Sequence, residues 1–302
     1  MELANVETLA GRKLPFRETV IIPIGDLQLH LDSEGGTGPC DFDRFKEVIE
    51  WGVENDAYYI GMGDFVDFAS PSNRAKMQAS IAGGDFYDST QEALDYVGEK
   101  HLQMIEEVLE PTKGRWLGML EGHHFWQFSD GTTSDMRLAN FVGTQFLGTA
   151  AFVRVQFEAP KQHRAAFFTI WAHHGRAGGK LLSAPINQLE HITKSFDADI
   201  YLVGHHHKVV AAKFSRIFPL WGIKNHSLKD ADRYLVCTGS FLKGYMAGHQ
   251  KGGRPQGTYV EKGMMNPVAL GVAKIWARPK YDSTTKSKRQ SGKMEVILSV
   301  ET

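Results

Sequence analysis

Residues 201–208 read YLVGHHHK, which is a short apolar run followed by a glycine and three histidines. The apolar run has the length and composition of a buried β-strand, and Gly204 allows the chain to turn directly after it. The histidines lie in the interior of the chain, so they are not a terminal tag, and a solvated loop would not require a buried strand before it. The stretch therefore predicts a strand whose carboxyl end presents imidazole groups.

The same pattern occurs at the ends of four earlier apolar runs. In each case polar side chains, mostly beside a glycine, follow the predicted strand at once. In α/β sheets, ligands bind beyond the carboxyl ends of the strands, so we expect all of these side chains to converge on one edge. The four stretches are Gly25-Asp26-Leu27-Gln28, Gly63-Asp64-Phe65-Val66-Asp67, Gly122-His123-His124 and His173-His174-Gly175.

The order of predicted elements indicates an α/β fold with more than one sheet. A β-α-β-α-β beginning favours parallel pairing at the centre, and the second half is richer in strands. Predicted strands are residues 19–24, 57–60, 115–120, 151–157, 166–172, 200–203, 209–215, 234–237, 269–275 and 294–300. Predicted helices are residues 43–55, 89–109, 133–146 and 186–196. We expect one domain over residues 1–302, with mobile loops at 71–86, 248–257 and 281–292.

Composition limits the classes of protein to consider. With 302 residues, 42% of them hydrophobic, the chain can bury a sizeable core. A net charge of −1 gives no electrostatic argument for nucleic acid or an anionic membrane as an obligate partner. Two cysteines do not make a disulfide framework. The first residues lack the pattern of a signal peptide, and no apolar run approaches the roughly 20 residues of a membrane span. We therefore expect a soluble, cytoplasmic protein.

The types of side chain at the strand ends predict a metal centre. Imidazole and carboxylate ligands together suit Mn²⁺, Fe, Zn²⁺, Co²⁺ or Ni²⁺ better than Ca²⁺. The ligands are too numerous for one ion, so we expect two divalent metal ions bridged by a carboxylate. A structural zinc site is disfavoured because such sites are rich in cysteine.

The ordered motifs resemble those of the calcineurin-like metallophosphoesterase superfamily, whose pattern is D-x-H, GDxxD, GNH(D/E), a single H and GHxH. The stretches GDFVD and GHHH match fully, and the likeness extends over about residues 20–239. The resemblance implies a four-layer αββα sandwich, in which two mixed β-sheets are flanked by helices. It also places a dinuclear metal site at the C-terminal strand ends.

The resemblance also implies a role for each matching residue. Asp64 would bridge both ions, His124 would be the catalytic imidazole, and Asp67 would orient it. For the single-histidine position we prefer His173, with His174 as the alternative. The full set of implied metal ligands is Asp26, Gln28, Asp64, His123, His173, His205 and His207.

Two positions depart from the family pattern. Gln28 stands where the first motif has histidine, and a neutral amide oxygen there would either loosen the first ion site or favour Mn²⁺ over Zn²⁺. Some diphosphatases of the superfamily also have D-x-Q. His30, two residues further on, is a substitute ligand if the chain folds back. His123 stands where GNH has asparagine, so it either binds the second ion with a different reach or does not bind metal.

The implied activity is hydrolysis of a phosphodiester or diphosphate bond by attack of a metal-bound hydroxide. A nucleotide phosphodiesterase, a diphosphatase and a nuclease are the types considered, with a nucleotide or nucleic acid as substrate and no membrane partner. Phe68 occupies the position where related protein phosphatases carry arginine, which argues against a phosphoprotein substrate. The alternatives are a phosphomonoesterase of small molecules and a non-catalytic scaffold of the same fold.

Several side chains near the motifs are candidates for a substrate pocket. Aromatic rings there could stack on a base, although rings beside strands more often belong to the core. Ser240 follows a predicted strand end near the site. The candidates are Phe65, Phe68, Phe125, Trp126, Ser240, Phe241 and Tyr245. His101, on the apolar side of its helix, is predicted to be a core residue.

Overall fold

The computed structural model describes residues 9–31, 36–158, 165–176, 179–221, 226–248, 250–251, 254–282 and 293–302. The described strands are β1 (Leu9–Leu14), β2 (Thr19–Ile24), β3 (Tyr58–Gly61), β4 (Trp116–Met119), β5 (Ala150–Phe157), β6 (Phe167–His173), β7 (Ile200–Val203), β8 (Val209–Trp221), β9 (His226–Ser240), β10 (Gln250–Lys251), β11 (Arg254–Pro255), β12 (Gly271–Val272), β13 (Lys274–Asp282) and β14 (Lys293–Glu301). The described α-helices are α1 (Phe42–Glu54), α2 (Pro71–Ala82), α3 (Asp88–Leu109), α4 (Ser134–Phe141), α5 (Ala184–Ile192) and α6 (Tyr259–Lys262).

Two mixed β-sheets form the body of this α/β protein. One has the strand order β1-β5-β6-β7-β9-β12, with β8 also paired to β9; the other has the order β14-β13-β2-β3-β4. Within them β2, β3 and β4 run parallel, as do β6, β7 and β9. The parallel strands are those whose carboxyl ends carry the sequence motifs, so the fold directs those motifs toward common edges.

An apolar core joins the two sheets. Its members include Ile21 and Ile60 from the second sheet and Val153, Ile170 and Leu202 from the first. All six residues of β2 are buried, and successive side chains point to opposite faces. A strand covered on both faces explains why this stretch is a continuous apolar run rather than an alternating one.

Helices cover the outer faces of these sheets. Ile22, from β2, belongs to a cluster with Phe45 of α1, Ile105 of α3 and Leu138 of α4. Leu189 of α5 packs in a separate cluster with Tyr201 and other residues of the first sheet. Helix α1 begins at a typical capping residue. The Asp41 side chain accepts a hydrogen bond from the backbone N–H of Arg44 in the first turn of this helix.

Helix α2 corrects the prediction of a mobile loop at residues 71–86. Ser70 caps this helix by accepting a hydrogen bond from the Asn73 N–H, and Pro71 occupies its first turn, where proline is well tolerated. No residue of α2 is buried. The prediction was wrong because a helix without an apolar stripe has no hydrophobic periodicity to detect.

The other predicted loops are only partly described. Within residues 248–257, β10 and β11 form an antiparallel pair, while residues 249, 252 and 253 lie outside the description. Of the predicted flexible loop 281–292, residues 283–292 lie outside the described residues. Among the helices that the structure describes, none is long and apolar enough to cross a membrane.

Candidate metal centre

Left-handed backbone conformations are concentrated in the turns that follow the strands. Asp26, Gln28, Asp64, His205 and His207 have φ angles of 47°, 50°, 55°, 62° and 55°. For a residue other than glycine this region costs about 1–2 kcal/mol. Such strain persists only where the surrounding structure imposes it, and it is typical of functional sites. The five residues are all motif residues, so the backbone independently marks the site that the sequence indicates.

Hydrogen bonds between loops bring the first two motifs together. The Asp26 N–H donates to the Gly63 carbonyl at 2.9 Å, and the Gln28 N–H donates to the Asp64 carbonyl at 2.9 Å. Gly122 comes so close that a Cβ atom there would collide with Asp64 Oδ1. The glycine of the third motif is therefore required for the loop carrying His123 to approach the Asp64 carboxylate.

Two groups of side chains have the spacing of metal ligands. One consists of His123, His174 and His205, and the other of Asp26, Asp64 and His174. Within each group the potential ligand atoms lie within 4.8 Å of one another. His174 belongs to both groups, so they form one continuous cluster of five residues.

Polar atoms in this cluster are buried without a hydrogen-bond partner among the described residues. They are Asp26 Oδ1, Asp64 Oδ2 and His174 Nε2. A buried polar atom without a partner costs free energy, about 1–3 kcal/mol and more when it is charged. A divalent cation among these atoms would satisfy all three at once, so the donor set fits a metal site.

The contacts of His174 determine which of its ring nitrogens faces the cluster. His174 Nδ1 lies 2.6 Å from the Met62 carbonyl oxygen, which fixes the proton on Nδ1. Its Nε2, 3.3 Å from Asp64 Oδ2, is then the ring nitrogen that would bind a cation once its own proton is lost. Histidines that bind metals characteristically donate their other N–H in this way.

Gln28 and His207 lie on the Asp26 side of the cluster. His207 Nε2 is 3.5 Å from Asp26 Oδ1 and 3.4 Å from Gln28 Nε2. The other Asp26 oxygen, Oδ2, accepts the backbone N–H of His205 at 2.8 Å. The structure therefore brings His207 beside Asp26 and Gln28 beside His207.

Burial determines the charge states of the cluster. It raises the pKa of Asp26 to about 7, an effect that the nearby His174 opposes and Asp64 reinforces. Burial lowers the pKa of His205 to about 3 and that of His207 to about 4. Burial would raise the pKa of Asp64, but the charge and hydrogen bond of His174, together with the charge and backbone N–H of His124, outweigh burial, so this pKa is lowered. His205 and His207 are therefore neutral near neutral pH, and the neutral imidazole is the form that binds metal ions.

His124 and Asp67 form a hydrogen-bonded pair beside the cluster. His124 Nδ1 lies 2.7 Å from Asp67 Oδ1, and the His124 backbone N–H donates to Asp64 Oδ1 at 2.8 Å. Burial lowers the pKa of His124, but the hydrogen bond to Asp67 and the charge of Asp64 outweigh it, so the net shift is upward. A raised pKa keeps a proton available on the imidazole, as general acid catalysis requires.

Arg74 is a site residue that the sequence analysis missed. From helix α2 its guanidinium donates to the carbonyl oxygens of His123 at 2.9 Å, Phe125 at 3.0 Å and Ala69 at 3.3 Å. It also stacks on the Phe125 ring, 3.6 Å from the centroid. Arg74 thus holds the residues on both sides of His124. The sequence offered no signal for it, since the helix that carries it was predicted to be a loop.

Asp135, at the start of α4, is a second missed residue. Its buried carboxylate accepts the backbone N–H of Gly122 at 2.9 Å, and burial raises its pKa to about 7. This contact supports the loop that approaches Asp64.

The structure corrects the choice between the two adjacent histidines. His173, the preferred candidate, lies outside both ligand groups: its Nδ1 accepts the Gly175 N–H at 2.7 Å, and its ring lies beside Trp171. His174 takes the position in the cluster. The alternate ligand His30 is exposed, with Nδ1 3.3 Å from the Asp67 carbonyl oxygen, and belongs to neither group.

Three of the aromatic pocket candidates are core residues. Phe65, Trp126 and Phe241 are fully buried and belong to the cluster between the helices and the second sheet. They have no surface for a ligand, so their assignment to a pocket is corrected. Ser240 is also fully buried; its hydroxyl donates to the Asp26 carbonyl at 3.0 Å and so supports the turn at Asp26.

The remaining aromatic candidates have other partners. The Phe68 ring packs 4.6 Å from that of Trp126, and Phe125 lies under Arg74. Tyr245 is half exposed, and its hydroxyl donates to the Met265 carbonyl at 2.8 Å. His101 is buried, which confirms the prediction that it belongs to the core.

No family model matches the chain, and no curated protein matches it either.

Proposed function

We propose that the chain is a metal-dependent phosphoesterase of the calcineurin-like type, acting on phosphodiester or diphosphate bonds. The observation that carries the proposal is the buried cluster of Asp26, Asp64 and His174, whose ligand atoms lack hydrogen-bond partners among the described residues. A hydrogen-bonded His124–Asp67 pair beside it supplies a proton donor. A metal site and an adjacent acid are the two components that hydrolysis of a phosphate ester needs.

The ligands divide into two overlapping sets, which is why we propose two divalent ions. His174 belongs to both groups of ligand atoms, and the family resemblance makes Asp64 the carboxylate that the two ions would share. The first ion would be held by Asp26, Gln28 and His207 and the second by His123, His174 and His205. When bound, such a pair neutralises phosphoryl oxygens and lowers the pKa of water to about 7. The mixture of amide, carboxylate and imidazole favours Mn²⁺, with Fe, Zn²⁺, Co²⁺ or Ni²⁺ as alternatives.

Residues of the chain itself supply the proton for the leaving group and hold the proton donor in position. His124 donates its Nε2 proton to the leaving oxygen, because its Nδ1 is held by Asp67 and its other ring nitrogen is the one left free. Asp67 fixes the tautomer and stabilises the charged ring. Arg74, through the carbonyl groups of His123 and Phe125, holds His124 in place.

The charges near the cluster favour a diester or diphosphate over a phosphate monoester. Phe68 packs against Trp126, and the guanidinium of Arg74 is engaged by backbone carbonyl groups. Phe68 carries no charge, and the Arg74 guanidinium is already engaged. Neither residue therefore supplies the bidentate contact that arginine makes with a phosphate dianion. A nucleotide phosphodiesterase, diphosphatase or nuclease remains the proposed type.

We infer for the fold the four-layer αββα sandwich within a single domain. The shared core between the sheets, with α1, α3 and α4 packed in one outer cluster and α5 in another, supports this arrangement.

The proposal is tested by stripping the protein with a chelator and reloading it with Mn²⁺, Zn²⁺, Co²⁺ or Ni²⁺. Hydrolysis of bis-(p-nitrophenyl) phosphate is then compared with that of p-nitrophenyl phosphate. Metal-dependent hydrolysis with preference for the diester is expected. Preference for the monoester would instead favour a phosphomonoesterase, and no hydrolysis with any metal would contradict the proposal.

A further inference from the structure

A cavity adjoins the metal cluster on the side of the fifth motif, residues 204–207. His205 and His207 form part of one wall, and Leu242, Val260, Met265 and Val268 contribute apolar surface. The cavity therefore begins at two of the proposed metal ligands and continues into an apolar region contributed by the chain after β9.

The volume of this cavity is about 230 Å³. A dry apolar cavity of about 150 Å³ is known to accept benzene, whereas sites for drug-sized ligands usually exceed about 300 Å³. The space therefore accommodates one aromatic ring with small substituents.

The polar residues of the lining are basic or neutral. They include Lys180, His206 and Asn266, and no aspartate or glutamate is among the described lining residues. Lys208, also in the lining, is buried and donates to the carbonyl oxygens of Gly179 and Leu181, which fixes the loop that borders the cavity. A lining of this charge does not repel an anionic phosphoester.

We propose that this cavity binds an aromatic substituent of the substrate, so that the preferred substrates are phosphodiesters or diphosphates with one single-ring group beside the phosphorus. The inference rests on the proposed function and specifies its substrate class. A phosphoryl group at the cluster places its ester substituent at the mouth of the cavity, between His205 and His207. The ring then packs on Leu242, Val260 and Val268, with the exposed Asn266 amide at the rim.

The test compares two diesters that release the same p-nitrophenolate, namely phenyl p-nitrophenyl phosphate and methyl p-nitrophenyl phosphate. Val268→Trp fills the cavity, and Asn266→Trp blocks its rim from an exposed position that the fold tolerates. Val53→Trp is the matched control, because Val53 is exposed on α1 and lies outside this cavity. All proteins are loaded with Mn²⁺.

We expect the ratio of kcat/KM for the phenyl over the methyl ester to fall about ten- to hundredfold in Val268→Trp and Asn266→Trp, the range expected for losing burial of one ring. Val53→Trp should keep the wild-type ratio. Retention of that ratio in both cavity variants, with wild-type hydrolysis of both esters, would overturn the inference and leave the proposed function intact.

A binding measurement distinguishes a failure of the cavity inference from a failure of the proposed function. Phenylphosphonate and methylphosphonate are titrated calorimetrically into the Mn²⁺-loaded protein. The cavity predicts at least about tenfold tighter binding of phenylphosphonate by the wild type, lost in Val268→Trp. Tight phenylphosphonate binding by a protein that hydrolyses neither ester would support the cavity and reject the proposed function. Equal binding of the two phosphonates would reject the cavity.

Discussion

His174 Nε2 lies 3.3 Å from Asp64 Oδ2, and both side chains are fully shielded from solvent. Neither atom has a hydrogen-bond partner among the described residues, while the other ring nitrogen of His174 is held by the Met62 carbonyl. Burial alone would lower the pKa of His174, but the charge and hydrogen bond of Asp64, together with the charge of Asp26 and the hydrogen bond to Met62, outweigh it and raise that pKa to about 10. A metal ion bound here would displace the Nε2 proton and would contact both atoms.

Replacing Asp64 with asparagine should remove the carboxylate that both ion sites share. The change is nearly isosteric, so we expect the fold to survive while bound Mn²⁺ per chain falls by at least half. Activity on bis-(p-nitrophenyl) phosphate should fall by more than about 100-fold. Metal content is measured by elemental analysis after gel filtration. The control is Asp43→Asn, which removes an exposed carboxylate on α1 and should change neither metal content nor activity. Normal metal content in Asp64→Asn would show that Asp64 is not a ligand shared by two ions.

Replacing His124 with glutamine should separate catalysis from metal binding. We expect kcat to fall by about 10²–10⁴ on a diester with a poor leaving group, because proton donation is lost. Metal content should be unchanged. Asp67→Asn should cost less, about 10- to 100-fold, since it disturbs only the orientation and basicity of the ring. Full activity of His124→Gln on such a substrate would show that another group donates the proton.

Replacing Arg74 with alanine should loosen the loop around His124. Three carbonyl groups lose a charged donor, so we expect about 1–3 kcal/mol of destabilisation in chelator and weaker Mn²⁺ binding. Urea unfolding and metal titration measure these effects. The control is Arg278→Ala, which removes an exposed ion pair with Glu18 and should cost less than about 1 kcal/mol. Equal stability and metal affinity in the two variants would refute the positioning role of Arg74.

His101 predicts a pH dependence of stability that is separate from the metal site. Its Nε2 accepts the Leu31 N–H at 3.0 Å, and its Nδ1 is 2.7 Å from the Val97 carbonyl, so the neutral ring fits best. Burial lowers its pKa below the usual 6.5. The unfolded chain therefore binds more protons than the folded chain as the pH falls below about 6.5, and stability declines there.

The measurement is the free energy of unfolding of metal-free protein between about pH 7.5 and pH 5. His101→Gln cannot take up this proton, so its stability should decline less than that of the wild type. The other titrating groups are common to both proteins and cancel in the comparison. Parallel declines would show that His101 does not contribute.

Much of the fold could be predicted because strands buried on both faces have a distinctive sequence. The run at β2 is apolar from Val20 to Ile24, and the apolar positions of α1 recur at helical spacing. The turn residues were also visible, since glycine and polar residues follow each strand. Helix α2 could not be predicted from periodicity, because none of its residues is buried; the cap at Ser70 and Pro71 was the available signal.

The site was predictable in its motifs but not in every residue. His173 and His174 are adjacent in sequence. The strand pairing of β6 with β7 extends to His173, and His174, the next residue, is the one whose ring lies in the cluster. Whether Phe65 or Trp126 faces a ligand or the core depends on helices distant in sequence. Arg74 acts through backbone carbonyl groups, which have no signature in the sequence.

The most direct test of the proposed metal centre is anomalous X-ray diffraction from crystals of the Mn²⁺-loaded protein. We predict two peaks, one among Asp26, Gln28 and His207 and one among His123, His174 and His205, with Asp64 between them. No anomalous peak at this cluster, with Mn²⁺ present in excess, would contradict the proposal of a dinuclear centre.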